Sequence, residues 1–143
     1  MSECVGVVDV SCGGGACIAL MSDATARTWG KSTYGGGQTF TNVVDVLCGG
    51  MLCNAIKDDR KVQVSGDTNL LLSLPNAVDI SCGYYACVAR NNDNTAVAWG
   101  RSGFGGDASS VDLNNVADIS CGGNACVARK NDNTAVAWGH DDW

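Results

Sequence analysis

One motif occurs four times in this chain and constrains its fold more than any other feature. The copies run over Asp9–Gly30, Asp45–Gly66, Asp79–Gly100 and Asp118–Gly139, and the last two differ at only three of 22 positions. The first cysteines of the copies are spaced by 36, 34 and 39 residues. A period of roughly 20 to 50 residues is typical of solenoids, propellers and arrays. The sequence predicts a single repeat domain over 1–143, with units of approximately 5–42, 43–76, 77–115 and 116–143.

Each unit has the pattern of three strands joined by tight turns. Val8–Cys12 alternates apolar and polar residues with period two, as expected of a strand with one buried face. A glycine follows that cysteine in every unit, and Asp-Asn fills the next turn in the last two units. The segment Leu70–Pro75 is apolar enough for a buried strand or a short helical turn. No amphipathic helix is predicted, so the expected fold class is all-β.

The repeated pattern V-D-[VI]-S-C-G-x-x-A-C-x-A, followed by Asp-Asn and then V-A-W-G, resembles the repeat of the regulator of chromosome condensation family. The resemblance covers nearly the whole chain in four copies, and it implies a β-propeller of four-stranded blades, most often seven. The family's usual serine or threonine is replaced by the second cysteine of each unit. Its usual histidine is replaced by Ala16, Leu52, Ala86 and Ala125. These departures affect histidine-dependent packing and leave the strand pattern intact.

Four units supply about half of the ring that the resemblance implies. An open array of blades exposes apolar faces and strand edges, which proteins normally cover. We therefore expect β-propeller blades that form a partial or partner-completed ring. The expected partners are other protein chains or a further copy of this chain, unless further parts of a longer polypeptide complete the ring.

Charge and hydropathy exclude several classes of partner. The formal net charge is −6 and the isoelectric point is near 4.4, whereas binding to nucleic acid needs a basic face. No apolar run is long enough for a membrane-spanning segment. The N-terminus lacks the charged and apolar regions of a secretory signal. No direct nucleic-acid partner is expected.

Nine cysteines are present, and eight of them form four C-x4-C pairs, leaving Cys4 over. The pairs are Cys12/Cys17, Cys48/Cys53, Cys82/Cys87 and Cys121/Cys126. One interpretation is a disulfide bond across each short hairpin loop, which implies an oxidising compartment, either extracellular or an organelle lumen. A second is free cysteine packed as a small hydrophobe, which is compatible with the cytoplasm. A third is a zinc or iron–sulfur site, although C-x4-C is at the limit of zinc spacing and His140 is the only histidine.

Aromatic residues fall into two groups by their position in the repeat. Trp29, Trp99 and Trp138 occupy equivalent positions and are predicted to be packing anchors between blades. Others break the repeat or lie in loops, where aromatic residues favour a partner surface. These candidates are Tyr34, Tyr84, Tyr85, Phe104 and Trp143.

No Ser-His-Asp or Cys-His set can be assembled, so the chain is predicted to be neither an enzyme nor a cofactor protein. The expected function is a protein–protein interaction module or a structural subunit of a larger complex. In the family, nucleotide exchange on a small GTPase depends on a specialised insertion, and chromatin attachment depends on basic segments. This acidic chain shows neither. One alternative is a cysteine-based metal-binding or thiol-redox protein, and another is a secreted propeller-type enzyme inhibitor.

Overall fold

The computed structural model describes residues 5–66 and 71–140, and it confirms the all-β fold class. Its strands form four antiparallel sheets, here called blades 1 to 4 in chain order. Blade 1 contains β1 (Val7–Cys12), β2 (Ala16–Met21), β3 (Ala26–Gly30) and β4 (Thr39–Phe40). Blade 2 contains β5 (Val43–Cys48), β6 (Cys53–Lys57), β7 (Lys61–Ser65) and β8 (Leu71–Ser73). Blade 3 contains β9 (Ala77–Cys82), β10 (Ala86–Asn91) and β11 (Ala96–Gly100). Blade 4 contains β12 (Val116–Cys121), β13 (Ala125–Lys130) and β14 (Ala135–Gly139).

Asparagine and aspartate fix the turn between the second and third strands of a blade. In blade 3, Asp93 accepts hydrogen bonds from the backbone N–H (3.0 Å) and hydroxyl (2.7 Å) of Thr95. Asn94 between them has a φ of 63°, a left-handed conformation that asparagine tolerates. Asp132 makes the same two hydrogen bonds with Thr134 in blade 4. The Asp-Asn signal therefore corresponds to a hairpin turn.

Adjacent blades stack through apolar side chains within two compact units, 1–75 and 76–143. In the first unit, Ile18 and Leu20 of blade 1 pack with Val46 and Cys53 of blade 2. In the second unit, side chains of blades 3 and 4 form an equivalent core. That core includes Ala86, Val88, Ile119, Cys126, Ala128 and Trp138. The period-two alternation of the strands produces this packing, because every other side chain faces the neighbouring blade.

At the end of the first strand, a glycine allows the backbones of stacked blades to approach closely, and a serine hydroxyl forms a hydrogen bond between the two blades. A Cβ on Gly13 would overlap the carbonyl oxygen of Gly49, and a Cβ on Gly83 would overlap that of Gly122. These positions need glycine because the two backbones approach closely. Beside these contacts, the N–H of Cys48 donates to the Ser11 hydroxyl (2.8 Å), and the N–H of Cys121 donates to the Ser81 hydroxyl (3.0 Å).

The fourth strands depart from the four-stranded blade that the resemblance implies. β4 has only two residues and β8 has three. Among the described residues, blades 3 and 4 have three strands each. In blade 3, the chain after β11 makes a hydrogen bond with that strand from Ala96 N–H to Leu113 O (3.0 Å). Blade 3 is therefore closed by a loop whose Leu113 packs on the core.

The segment predicted over Leu70–Pro75 contains a strand, β8, and no helical turn among its described residues. Within β8, Leu71 and Ser73 are exposed and Leu72 is half-buried, so the strand is only partly covered, while Leu74 just after it is buried. Leu70 itself lies outside the described residues. In the described part of the chain, no helix has the length and apolar character needed to cross a membrane. The organisation as one domain remains a prediction.

Candidate partner-binding surface

Four aromatic side chains form a continuous stack at one end of blades 3 and 4. We call Tyr84, Tyr85, Phe104 and His140 the aromatic cluster. The ring centroids of Tyr84 and Tyr85 are 4.7 Å apart in an edge-to-face arrangement. Phe104 lies 4.5 Å from Tyr85 and 4.9 Å from His140, onto which it stacks. Such pairs stabilise one another by about 0.5–1.5 kcal/mol each, so the cluster holds its shape.

Arg101 adds a positive charge to this surface. Its guanidinium carbon lies 5.5 Å from the Tyr85 ring centroid and 5.3 Å from that of Phe104. Arg101 is exposed, and each cation–π contact at such a site contributes about 0.5–1 kcal/mol. Tyr84 is 38% exposed. The surface therefore offers aromatic faces and one cation to solvent in a chain of net charge −6.

A short turn of 3-10 helix, Ser102–Phe104, positions the phenylalanine. Gly105 ends this turn with a φ of 101°, which strongly favours glycine. The indole Nε1 of Trp138 donates to the Gly105 carbonyl oxygen (2.9 Å) in a buried hydrogen bond. The last strand of blade 4 thus fixes the backbone next to Phe104 through Trp138, and this contact stabilises the position of the cluster.

Blade 1 has an equivalent turn, but no aromatic stack forms there among the residues that the structure describes. Its turn, Ser32–Tyr34, ends at Gly35, whose φ of 99° matches that of Gly105. Lys31 lies 4.7 Å from the Tyr34 ring centroid, as Arg101 lies over Phe104. Tyr34, however, packs over Gly15, the residue equivalent to Tyr85, and against the core of blades 1 and 2. The tyrosine at position 85 therefore converts a packing site into a stacked surface.

The structure brings together three of the five candidates for the partner surface, Tyr84, Tyr85 and Phe104, while Tyr34 lies on blade 1. Trp143 lies outside the described residues. The sequence did not point to Arg101, and it suggested His140 only as a metal ligand or a member of a catalytic set. The sequence did carry a signal, because Lys31, Arg101 and His140 each follow the glycine that ends the third strand of a unit. In the structure, their backbone N–H groups donate equivalent hydrogen bonds to the carbonyl oxygens of residues 15, 85 and 124. The residue after the Gly at the end of the third strand is therefore aligned with the first turn of its blade.

Each C-x4-C pair joins two directly opposite residues at the end of the first hairpin of its blade. All four pairs are disulfides in the structure, and the Cα atoms of each pair lie 4.0 or 4.1 Å apart. The bonds are Cys12–Cys17, Cys48–Cys53, Cys82–Cys87 and Cys121–Cys126.

Burial of the bonded cysteines differs between the two strands of the hairpin. Cys53, Cys87 and Cys126, on the second strand, are nearly or fully buried, and Cys87 is 0% exposed. Cys82, bonded to Cys87, is only half-buried. Because all eight of these cysteines are bonded in pairs, they are neither free thiols nor metal ligands in the structure.

The described residues contain no other candidate for a metal site. Among residues 5–66 and 71–140, no group of three or more His, Cys, Asp or Glu side chains is arranged to hold a metal ion. Cys4, the cysteine left over by the pairing, lies outside the described residues.

The three equivalent tryptophans differ in burial. Trp99 and Trp138 are 3% and 6% exposed, and Trp138 belongs to the core between blades 3 and 4. Trp29 is 39% exposed, so it is not a buried anchor. In unit two the position is Ser65, which is fully buried and whose hydroxyl donates to the Cys53 carbonyl oxygen (3.0 Å). The structure therefore shows the expected packing for Trp138 and only partial packing for Trp29.

Comparison with known proteins identifies the repeat. The family model for the regulator of chromosome condensation (RCC1) repeat matches residues 7–35 and 77–105. These two segments of the chain are RCC1 repeats. A search of the curated proteins found no significant match.

Solved structures place these RCC1 repeats among known propellers. The structure is similar to yeast RCC1 (Prp20) bound to Kap60, with a TM-score of 0.70 and 15% identity over 97% of this chain and 45% of that one. It is similar to the CRINKLY WD40 ectodomain of the Arabidopsis thaliana receptor kinase ACR4, with a TM-score of 0.66 and 19% identity over 93% of this chain and 49% of that one. It is also similar to the entire ectodomain of the Physcomitrella patens receptor kinase CR4, with a TM-score of 0.70 and 17% identity over 93% of this chain and 41% of that one. The chain spans less than half of each of these structures.

The position that the resemblance assigns to a histidine is occupied by an apolar residue in all four units. Ala16, Leu52 and Ala86 are buried, and Ala125 is half-buried. A small apolar side chain at this place needs no hydrogen-bond partner, so the first two strands of a blade can pack without one.

Proposed function

We propose that this chain is a non-catalytic protein-interaction module whose partner surface is the aromatic cluster with Arg101. The observation that carries the proposal is the stack from Tyr84 to His140, which is supported by Trp138 and borders solvent. Tyrosine and arginine are enriched among the residues that dominate protein-interface energetics. A rigid aromatic platform also loses little conformational entropy on binding.

The fold and its relatives support a protein as the partner. Yeast RCC1 (Prp20) is bound to Kap60 in one similar structure, and Prp20p in another is described with binding properties to Gsp1p and histones. Propellers of this type thus include members with protein partners. The acidity of the present chain argues against nucleic acid in that role.

The thiol-redox and metal-binding alternative is less well supported than the interaction module. The eight paired cysteines are engaged with one another, one bond per blade. A metal site would need at least three convergent ligands, and none is found among the described residues. The secreted inhibitor remains a prediction.

The near-identity of units three and four supplies a test with a matched control. Replacing Tyr84→Gly and Tyr85→Asn gives blade 3 the turn that blade 4 already has at Gly123-Asn124, so folding should be preserved. Asn91→Lys introduces the third difference between these units, away from the cluster. Wild type and both variants would be used to capture proteins from an extract of the source organism, and the affinity for each captured protein would then be measured.

We expect the double variant to weaken the specific partner by about 30-fold or more, as loss of an aromatic hot spot does. The Asn91→Lys variant should bind like the wild type. Equal binding by all three proteins would reject the aromatic cluster as the partner surface. Circular dichroism and thermal melting of each variant would separate loss of binding from loss of fold.

A further inference from the structure

We propose that this chain associates head to tail with a second copy of itself. The exposed face of blade 4 of one copy would pack on the exposed face of blade 1 of the other. This contact is independent of the aromatic cluster and of the function proposed for it. The argument rests on an interface that the chain already makes twice, between blades 1 and 2 and between blades 3 and 4.

Every blade has two faces, because strand side chains alternate. In blades 1 and 3, one face packs on the following blade of the same unit, and the equivalent face of any blade is here called the trailing face. In blade 3 this face is buried by blade 4, and Val88 at its centre is 0% exposed. The trailing face of blade 4 holds the same residue types at every corresponding position, Ser120, Ala125, Val127, Arg129, Ala135 and Ala137. Yet Val127 is 40% exposed, and Ser120, Arg129, Ala135 and Ala137 are also exposed.

In blades 2 and 4, the opposite face packs on the preceding blade of the same unit, and the equivalent face of any blade is here called the leading face. In blade 4, Ile119 and Trp138 on this face are buried against blade 3. The leading face of blade 1 contains Val10, Cys12, Cys17, Ala19, Arg27 and Trp29. Val10 is 63% exposed, whereas the equivalent Val46 and Ile119 are 5% and 7% exposed.

The two exposed faces are thus the two halves of one interface. The trailing face of blade 4 repeats a surface that buries itself against a leading face, and blade 1 presents a leading face. Four of the six leading-face residues are identical between blades 1 and 4, and Val10 replaces Ile119 conservatively. The exception is Arg27, which stands where blade 4 has Val136. Its aliphatic stem can cover apolar surface while the guanidinium remains at the rim.

The backbone contacts between stacked blades are also available to the second copy. Ser120 is equivalent to Ser11 and Ser81, whose hydroxyls accept hydrogen bonds from the N–H groups of Cys48 and Cys121. In the proposed contact, Ser120 accepts from the N–H of Cys12 of the second copy. Gly122 is equivalent to Gly13 and Gly83, which face a carbonyl oxygen of the next blade with no room for a Cβ. It would face the Gly13 carbonyl in the same way.

A second copy is the occupant that these surfaces specify, because both halves of the interface belong to this chain. Such a contact is heterologous: one surface patch binds a different patch on the partner. It therefore makes a distinctive mutational prediction. A charge on either face abolishes every contact among identical chains, while mixing two differently mutated chains restores one contact.

The test measures the mass of the unreduced chain by analytical ultracentrifugation over a range of concentrations. Wild type should associate, and Val10→Glu and Val127→Glu should each raise the dissociation constant by at least about 100-fold, because an unpaired charge would be buried. An equimolar mixture of the two variants should form a 1:1 complex through the intact Val127 of one chain and the intact Val10 of the other. Val44→Glu, at an exposed bulged residue of β5 outside both faces, should associate like the wild type.

Gly122→Ala gives a gentler second variant. In the free chain its Cβ would lie 3.8 Å from the nearest atom, the Ala125 carbonyl oxygen, so it should fold normally. It should nevertheless lose association, whereas Gly123→Ala, with open space around it, should retain association. A wild type that stays monomeric at all concentrations would overturn the proposal and leave these faces to further blades of a longer polypeptide. Failure of the mixed variants to form a 1:1 complex would also overturn it.

Discussion

Trp138 and Gly105 are joined by a buried 2.9 Å hydrogen bond from the indole Nε1 to the backbone carbonyl oxygen. The bond links the last strand of blade 4 to the turn that carries Phe104. It therefore contributes both to the stacking of blades 3 and 4 and to the position of the aromatic cluster.

Replacing Trp138→Phe should lower the free energy of unfolding by about 1–3 kcal/mol, because the Gly105 carbonyl loses its partner and a small cavity forms. Urea denaturation measures this change. Trp29→Phe is the matched control at the equivalent, 39% exposed position, and it should change stability by no more than about 0.5 kcal/mol. Equal losses for the two variants would contradict the anchoring role assigned to Trp138.

The close approach of Gly83 to the Gly122 carbonyl oxygen predicts a strong asymmetry between two equivalent glycines. Gly83→Ala should destabilise the chain by at least about 2 kcal/mol, because its Cβ meets rigid backbone. Gly122→Ala should have an effect of about 0.5 kcal/mol or less in the monomer. Thermal or urea unfolding at low protein concentration checks both values, and a larger loss for Gly122→Ala would be inconsistent with the observed stacking.

The four disulfides predict a stability that depends on oxidation. Removing the pair Cys12 and Cys17 as a double alanine variant should cost about 2 kcal/mol, the chain-entropy value for so short a loop. Removing Cys48 and Cys53 should cost more, because both are buried and a cavity is added. Urea denaturation of both variants tests this order. A denatured mass that rises by about 8 Da on reduction would verify four bonds, and an unchanged mass would show that the cysteines are free.

Asp112 predicts a loss of stability in acid. The Lys130 ammonium lies 2.7 Å from its Oδ2, and together with Asn114 it lowers the pKa of Asp112 from 3.8 to about 2. A depressed native pKa stabilises the folded state above the unfolded pKa and loses that contribution as pH falls toward about 2. The stability difference between wild type and Asp112→Asn, measured by urea unfolding, should therefore shrink between about pH 5 and 2. Added salt should also reduce it, since the carboxylate is exposed. A difference independent of pH would contradict this assignment.

The strands and turns could be predicted from the sequence because both depend on local chemistry. Period-two alternation fixes which side chains of β12 face the core, as Ile119 and Cys121 do. Asp93 and Asp132 form hydrogen bonds within their own turns. Four repeats of the same pattern made these predictions stronger than a single copy would have. The strand bounds differ from the expected ones by about one residue, as is usual at element ends.

The cysteine pairs show where a repeated pattern stops being informative. The spacing of Cys82 and Cys87 is the same whether the residues are bonded, reduced or bound to a metal, so the sequence left all three open. The register of β9 and β10 decides between them, because it sets these two residues directly opposite each other.

The aromatic cluster could be predicted only in part, because it depends on contacts between distant segments. Tyr84 and Tyr85 were recognisable as departures from the repeat. Their contact with Phe104 depends on how the turn after β11 folds back over the first turn of the same blade. The place of His140 next to Phe104 depends on the stacking of blade 4 on blade 3, which no local pattern contains.

Blades 3 and 4 have the same residue types on both of their packing faces. A duplication of the unit 77–115 would place an Ala86 and Val88 surface against Ile80 and Trp99, which match the Ile119 and Trp138 that they meet now. The gene can therefore gain a blade by recombination between its two most similar segments, without any compensating substitution. In this protein the number of blades is a property that can evolve in single steps.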